Sequence, residues 1–153
     1  MRAIVLIVVI AFAFVWMVAV PLFERFASVE AVRTYQRLTM PLWRPLAGWI
    51  PGFGVVETTG RRTGRTYRIP VGGRVSGSAF WFVAGIGRRN NSVRNMEANP
   101  RVRVKANGRW RTGTAHVLPD DDAKRRRFWA SPMNGVFLAI AGGEHVTVRI
   151  DLD

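Results

Sequence analysis

The feature that most constrains this chain is a glycine-framed, arginine-rich turn at residues 60–64, with the sequence Gly-Arg-Arg-Thr-Gly. Strand-like segments flank it, so the pattern predicts two antiparallel strands joined by a tight turn. Glycine tolerates positive φ, and successive N–H groups in such a turn can form an anion-binding nest. Arg61, Arg62, Arg65 and Arg68 add fork-shaped donors that suit phosphate or carboxylate. On the turn alone, a basic hairpin tip with solvated arginines is the simpler interpretation.

The charge balance indicates an anionic partner. The 153 residues carry 23 Lys and Arg against 10 Asp and Glu, a formal net charge of +13. Nucleic acid, anionic lipid and a polyanionic cofactor all satisfy such an excess. The chain has no cysteine and two histidines, which excludes disulfides and thiolate metal sites and argues against a histidine-based zinc site. The length suits one domain with one core.

Residues 3–20 contain no charged side chain. As a helix they would extend ~27 Å, close to the ~30 Å hydrocarbon core of a bilayer. A secretory signal peptide is the alternative, but its apolar region is shorter, about 7–15 residues, and ends at a small-x-small cleavage site. We therefore expect residues 1–23 to form a transmembrane anchor. Arg2 alone precedes the apolar run and four arginines follow it before residue 45, which predicts a single-pass membrane protein with its domain in the cytoplasm.

Residues 24–52 are expected to form a juxtamembrane segment. Ser28 is a suitable N-cap for a helix from Ser28 to Met40, and Pro41 and Pro45 are expected to end that helix. A Trp- and Pro-rich linker would follow it. Trp beside Arg and aliphatic residues suits the membrane–water interface, but a helix and loop packed on the domain core explain the same residues. Both interpretations remain open from the sequence.

Residues 53–153 are expected to form one α+β domain. Turn signals include Asn107-Gly108, the strongest hairpin signal in the chain, and Gly72-Gly73, which would allow a bulge or bend. Six strands and two or three short helices indicate an antiparallel roll or barrel. The predicted strands are 53–58, 66–75, 79–84, 101–106, 110–118 and 146–152, and the predicted helices are 92–99, 123–130 and 134–141.

The hairpin at 101–118 tests a nucleic-acid function. Its alternating pattern predicts a basic face of Arg101, Arg103 and Lys105, with two more arginines, 109 and 111, across the turn, which could follow a phosphate backbone. Single-strand binders also need exposed aromatic residues for base stacking. Trp110 is the one candidate, and we expect it in the core, so nucleic acid is disfavoured.

Groups that could carry chemistry by themselves are scarce. There is no cysteine nucleophile and no G-x-S-x-G turn. The acidic residues 120–122 are typical of a helix start rather than of a metal site. A bound organic cofactor is therefore the expected source of any chemistry.

Three motifs together resemble the deazaflavin-dependent nitroreductase family, which includes quinone and nitroimidazole reductases. Residues 57–64, followed by Pro70, resemble its strand–GRxSG–strand signature. Residues 84–87, Ala-Gly-Ile-Gly, stand where the family has a second, small-residue cofactor loop. Residues 95–104 resemble its Asn-Leu-x-Ala-Asn-Pro-x-Val-x-Val run. The resemblance covers about residues 53–118.

The resemblance implies a split β-barrel of the flavin-reductase-like kind and the deazaflavin cofactor F420 as hydride donor, with FMN as the alternative. F420 carries a phosphate and a polyglutamate tail, which gives the basic surplus an anionic partner and favours residues 60–64 as a phosphate cradle. No metal is expected, because the chain lacks cysteine and has only two histidines. The implied cofactor-binding residues are Arg61, Arg62, Thr63, Gly64, Tyr67, Arg68, Ile69, Pro70, Ala84, Gly85, Ile86, Gly87 and Asn95.

The chain also departs from the family pattern. Ile86 replaces the usual Lys of the second loop, and no Tyr follows Tyr67, so the Tyr-rich substrate helix is missing. The expected function is a membrane-anchored oxidoreductase that reduces a lipophilic, quinone-like acceptor, with Tyr67, His116 or water as proton donor. The alternative is a non-catalytic, membrane-tethered module that binds a cofactor or lipid. Split barrels are often dimers, so a homodimer is an expectation by analogy.

Overall fold

The computed structural model describes residue 7 and residues 18–153. Six antiparallel strands form a closed barrel in the order β1-β2-β3-β6-β5-β4. The strands are β1 (Phe53–Thr59), β2 (Thr66–Ser76), β3 (Ala79–Gly85), β4 (Arg101–Ala106), β5 (Arg109–Leu118) and β6 (His145–Leu152). The helices are α1 (Val29–Ala47), α2 (Asn91–Ala98), α3 (Ala123–Ala130) and α4 (Pro132–Ala141), with a 3-10 turn at Gly87–Arg89. The predicted α+β antiparallel barrel is confirmed.

Alternating apolar side chains fill the barrel. In β4 the valines and Ala106 are buried, whereas the intervening basic residues face outward, as the period of two predicts. From β3, Phe80 and Phe82 enter the same core cluster. Helix α2 closes one end of the barrel through Val93 and Met96. On the outer side of β3, Val83 packs with residues of α3 and α4.

Strand β2 changes its partner at the glycine pair. Its residues 66–72 pair with β1, ending at Gly72 opposite Phe53, and its residues 73–76 pair with β3, starting at Gly73 opposite Phe82. A Cβ on Gly73 would lie 2.5 Å from the carbonyl oxygen of Trp81, so the close approach of the strands requires glycine here. Beyond this short ladder, residues 66–72 of β2 and 83–85 of β3 do not pair with each other. The two strands diverge and leave a wedge, the split of the barrel.

The β4–β5 register corrects one prediction. The Asn107-Gly108 turn places Val104 opposite Arg111 and Ala106 opposite Arg109. Directly opposite residues of a sheet share a face, so Arg109 and Arg111 lie on the side of the buried residues. The basic face predicted across the turn was wrong.

Trp110 is also placed differently from the prediction. It pairs with Lys105 on the outer face and is half-buried rather than part of the core. The guanidinium carbons of Arg68 and Arg103 lie 5.5 and 5.0 Å from the centre of its rings. These cation–π contacts cover the indole without enclosing it.

Helix α1 is longer than predicted. Ser28 caps it as expected, with its hydroxyl accepting from the Ala31 amide at 3.2 Å. The helix then continues through Pro41 and Pro45 to Ala47, so the predicted end at Pro41 was wrong. Each proline removes one backbone donor, but α1 packs on β1 and β2 and buries Ala47. Tertiary packing therefore overrides the local signal.

The predicted transmembrane anchor, residues 1–23, falls largely outside the described residues. Residues 18–26 are helical. Within the part of the chain that the structure describes, no helix combines the length and the apolarity that a bilayer crossing requires.

Candidate cofactor site

The turn at residues 60–64 is closed by its own hydrogen bonds. The Gly60 amide donates to the Arg65 carbonyl, and the Gly64 amide donates to the Gly60 carbonyl, both at 2.8 Å. Gly64 has φ +66°, which favours glycine. The Thr63 hydroxyl accepts from the Arg65 amide at 3.3 Å and lies 3.1 Å from the Tyr67 hydroxyl. Because the Gly60, Gly64 and Arg65 amides are engaged, the hypothesis of a backbone nest is wrong for these three groups.

Helix α2 holds the turn in place through Arg61. The Asn95 side-chain oxygen accepts from the Arg61 amide at 3.2 Å and from its Nη1 at 3.1 Å, and the Asn91 oxygen accepts from Nη2 at 3.4 Å. Asn95 is 7% exposed. Neutral acceptors orient the guanidinium without cancelling its charge, so Asn95 is a positioning residue for Arg61.

The same helix fixes the second loop, residues 84–87. The Asn90 side chain caps α2 and donates to the Gly85 carbonyl at 3.3 Å. Ile86 lies in the left-handed region with φ 56° and is 62% exposed. A β-branched residue is rare in this region and strained there. Strain of this kind clusters at active sites, ligand clamps and switch regions.

The wedge between β2 and β3 lies between these two loops. Helix α4 runs along it, because a Cβ on Gly72 would clash with the Asn134 Cβ, and a Cβ on Gly85 would lie 3.2 Å from a Leu138 methyl. Met133 of α4 is exposed. The wedge therefore has strand and helix walls with apolar side chains, and arginines at one end.

Some predicted site residues face away from the wedge or remain exposed to solvent at the turn. Strand alternation turns the Arg68 and Pro70 side chains to the outer face, where the Arg68 Nε lies 2.7 Å from Glu57. Ile69 packs against the barrel core. Arg62, Thr63 and Gly64 stay exposed at the turn.

The two side chains proposed as proton donors are separated by the fold. The Tyr67 hydroxyl belongs to the turn, where it is 3.1 Å from the Thr63 hydroxyl. His116 lies on the outer face of β5, with its Nε2 3.2 Å from Asp151. Only Tyr67 borders the wedge among the described residues that were proposed for this role.

The charges of the site suit an anion. Among the ion pairs of residues 18–153, none engages Arg61, Arg62 or Arg65. The nearby acid Glu57 is occupied by Arg68 and Arg103, at 2.7 and 3.3 Å. An uncompensated cationic turn at the end of an apolar wedge fits a planar ring system that carries a phosphate.

Two hollows elsewhere do not compete with this assignment. One, of about 420 Å³, lies between α2 and β5 and is lined in part by Glu97 and His116. The other, of about 430 Å³, lies at the opposite end of the barrel near Phe53 and Trp129. Neither is lined by residues of the two loops. Arg88 of the first hollow is paired with Glu97, and Arg74 of the second donates to the Trp129 carbonyl and stacks on the Trp129 ring.

Sequence reasoning missed three contributors to the site: Asn91, Asn134 and Leu138. Asn91 belongs to a run of polar residues that looks like an ordinary helix start, and Asn134 and Leu138 belong to a segment that is distant in sequence. The glycines opposite α4 were the available signal, since they leave space for a close neighbour.

A six-stranded antiparallel barrel with a cationic loop at its split defines a flavin-reductase-like split-barrel reductase. The chain belongs to the F420H2-dependent quinone reductase family, whose model matches residues 28–139. The resemblance seen in the sequence motifs is thereby confirmed, as is the class of oxidoreductase, and F420 is the cofactor of the family.

Solved structures agree with this fold. An F420-H2 dependent reductase (FDR-A) is 18% identical with a TM-score of 0.50, over 65% of this chain and 93% of that one. The General Stress Protein 26 from Bacillus anthracis str. Sterne is 19% identical with a TM-score of 0.52, over 72% and 86%. A domain-swapped dimer is 17% identical with a TM-score of 0.50, over 77% and 94%. No curated protein matches the chain.

Proposed function

We propose that this protein is a membrane-anchored reductase that uses reduced F420 to reduce a lipophilic acceptor of the quinone type. The observation that carries the proposal is the position of Arg61, which Asn91 and Asn95 hold at the end of the apolar wedge. The uncharged run at residues 3–20 supports an anchor, and the arginines that follow it support a cytoplasmic domain.

The residues of the site have separate roles in this proposal. Arg61, Arg62 and Arg65 bind the cofactor phosphate through charge-assisted hydrogen bonds. Gly85 and Ile86 would border the bound ring, and the walls of the wedge would limit the access of water to it. The bound deazaflavin supplies the hydride. The Tyr67 hydroxyl is positioned to hold a proton, because its partner, the Thr63 hydroxyl, can donate or accept.

The acceptor side of the wedge supports an apolar substrate. The tyrosines expected of the family's substrate helix are absent, and the exposed apolar residues of α4 are Met133 and Val136. Apolar side chains favour a ring with an isoprenoid-like tail over a charged acceptor. A domain held at the membrane would have direct access to a lipophilic substrate dissolved in the bilayer.

The experiment uses the full chain in lipid nanodiscs with reduced F420 and a menaquinone analogue. We expect oxidation of the cofactor that depends on both the protein and the quinone. Loss of one charge-assisted contact costs about 1.5–3 kcal/mol, so Arg61→Ala with Arg62→Ala should raise the cofactor KM at least tenfold. The matched control removes two exposed charges elsewhere, Lys124→Ala with Arg125→Ala, and should leave the KM unchanged.

Two outcomes would favour an alternative function over the proposed one. Tight F420 binding without turnover for any quinone would favour the non-catalytic binding module. Tighter binding of FMN than of F420 would favour the flavin alternative. The domain-swapped dimer among the structural neighbours supports a homodimer for this chain, which sedimentation of the protein in detergent would test.

A further inference from the structure

The outward face of helix α1 carries apolar residues that nothing in the described structure covers. At 100° per residue, Leu38, Pro41 and Pro45 fall on one stripe, and all three are exposed. Leu38 is 71% exposed and Leu46, beside the stripe, is 56% exposed. The opposite side of the helix buries Ala47 against the barrel. Leucines this exposed on a folded helix indicate a contact surface, because water solvates them unfavourably.

Trp49 extends this surface past the end of α1. It is 63% exposed, yet its position is fixed. The Lys105 ammonium lies 4.6 Å from the centre of its ring, and a Cβ on Gly108 would lie 2.6 Å from its Cζ3. A rigidly held tryptophan beside a cation, with its ring open to solvent, is typical of the membrane–water interface.

Cations border the apolar stripe. Arg37 and Arg44 lie along one edge of it, one heptad apart, and both are exposed. Among the described residues, no ion pair engages either of them. Glu30 is the one acidic residue of the helix sequence. The surface therefore combines exposed apolar side chains with uncompensated positive charge.

We propose that this surface, formed by Leu38, Pro41, Pro45, Leu46 and Trp49, lies on an anionic phospholipid bilayer with α1 parallel to the membrane plane. The apolar side chains enter the headgroup–acyl boundary, and Arg37 and Arg44 contact lipid phosphates, as amphipathic surface helices do. The net charge of +13 and the apolar run that ends eight residues before Ser28 favour lipid over a second copy of this equally cationic chain.

This inference rests on the membrane location in the proposed function and is independent of its cofactor and acceptor. The chain has no cysteine, so Leu38→Cys, Leu46→Cys and, as control, His116→Cys can each carry one nitroxide label. His116 is exposed on the outer face of β5. The labelled full chain is reconstituted in vesicles of phosphatidylglycerol and phosphatidylcholine, and collision of the nitroxide with a neutral, water-soluble nickel chelate is measured.

We expect labels at 38 and 46 to collide with the chelate about threefold less often than the label at 116, since an interfacial helix buries one face. Arg37→Gln with Arg44→Gln should reduce this protection, whereas Lys124→Gln with Arg125→Gln should not. Equal collision rates at all three sites would overturn the inference. It would also be overturned if the labels at 38 and 46 stayed protected from the chelate in detergent and became more protected as the protein concentration rose, because that result indicates contact with a second copy. Vesicle flotation separates the two proposals: a chain that does not float refutes the membrane location itself, and a chain that floats with exposed labels refutes only this surface.

Discussion

The contact between Asn95 and Arg61 gives the sharpest test of how the site is built. Asn95→Ala removes the oxygen that accepts from the Arg61 amide and from its Nη1. A hydrogen bond between neutral groups contributes about 0.5–1.5 kcal/mol, and one to a charged group about 1.5–3 kcal/mol. The two bonds share one acceptor, so we expect a loss of about 2–3 kcal/mol, near the lower end of their sum.

Urea unfolding of the full chain in detergent micelles, followed by tryptophan fluorescence, measures this loss. With an m-value of roughly 2 kcal/mol per M, the midpoint should fall by about 1–1.5 M. Asn99→Ala is the matched control, one helical turn further along. The Asn99 side-chain Nδ2 donates to the Thr59 carbonyl at 3.4 Å. Because this is a weak bond, Asn99→Ala should cost less than about 1 kcal/mol.

A second variant separates stability from charge. Asn95→Asp keeps an acceptor for Arg61 but neutralises the guanidinium with a carboxylate. We expect stability within about 1 kcal/mol of the unsubstituted protein, together with weaker binding of F420 in a fluorescence titration. Equal midpoints for Asn95→Ala and Asn99→Ala, or unchanged F420 affinity in Asn95→Asp, would refute the positioning role.

Three further predictions concern the barrel and the loops. Gly73→Ala should destabilise the protein by more than about 2 kcal/mol, because the new Cβ would lie 2.5 Å from the Trp81 carbonyl oxygen; a smaller midpoint shift in urea would contradict the close approach of β2 and β3. Ile86→Gly should be neutral or stabilising by up to about 1 kcal/mol, since relief of the positive φ offsets the greater freedom of the unfolded chain, and thermal unfolding checks this. Hydrogen bonds from Arg126 hold the pKa of Asp121 below its usual range. That carboxylate therefore contributes stability that is fully present above the unfolded pKa and is lost as pH falls through the folded pKa. The difference in unfolding midpoint between Asp121→Asn and the unsubstituted protein should be smaller at pH 3 than at pH 6, and equal differences at the two pH values would contradict the ion pair's role.

Local patterns in the sequence were sufficient for most of the strands and helices. The alternation in β4, the Asn107-Gly108 turn and the Ser28 cap depend on neighbouring residues, so their physics is already present in short segments. Intrinsic helix propensity predicted the end of a helix less well where tertiary packing opposes it. Helix α1 continues through two prolines because its inner face is buried on the barrel.

The site was only partly predictable from the sequence. The turn at residues 60–64 could be recognised, because glycines and arginines at close spacing act locally. The sequence could not predict that Asn95 orients Arg61. The two residues are 34 positions apart and meet only when α2 closes the barrel. The outward direction of Arg68 depends on which face of β2 the register turns toward the core.

The sequence by itself determined the antiparallel domain, the basic surplus and the glycine–arginine turn, because periodicity, charge and backbone freedom are properties of short stretches. Only the tertiary structure decided that β2 leaves β1 for β3 at Gly73, that α4 lines the resulting wedge, and that Asn95 of α2 accepts from the amide and the guanidinium of Arg61. Those features come from pairing between distant segments, whose register and closure no local pattern specifies.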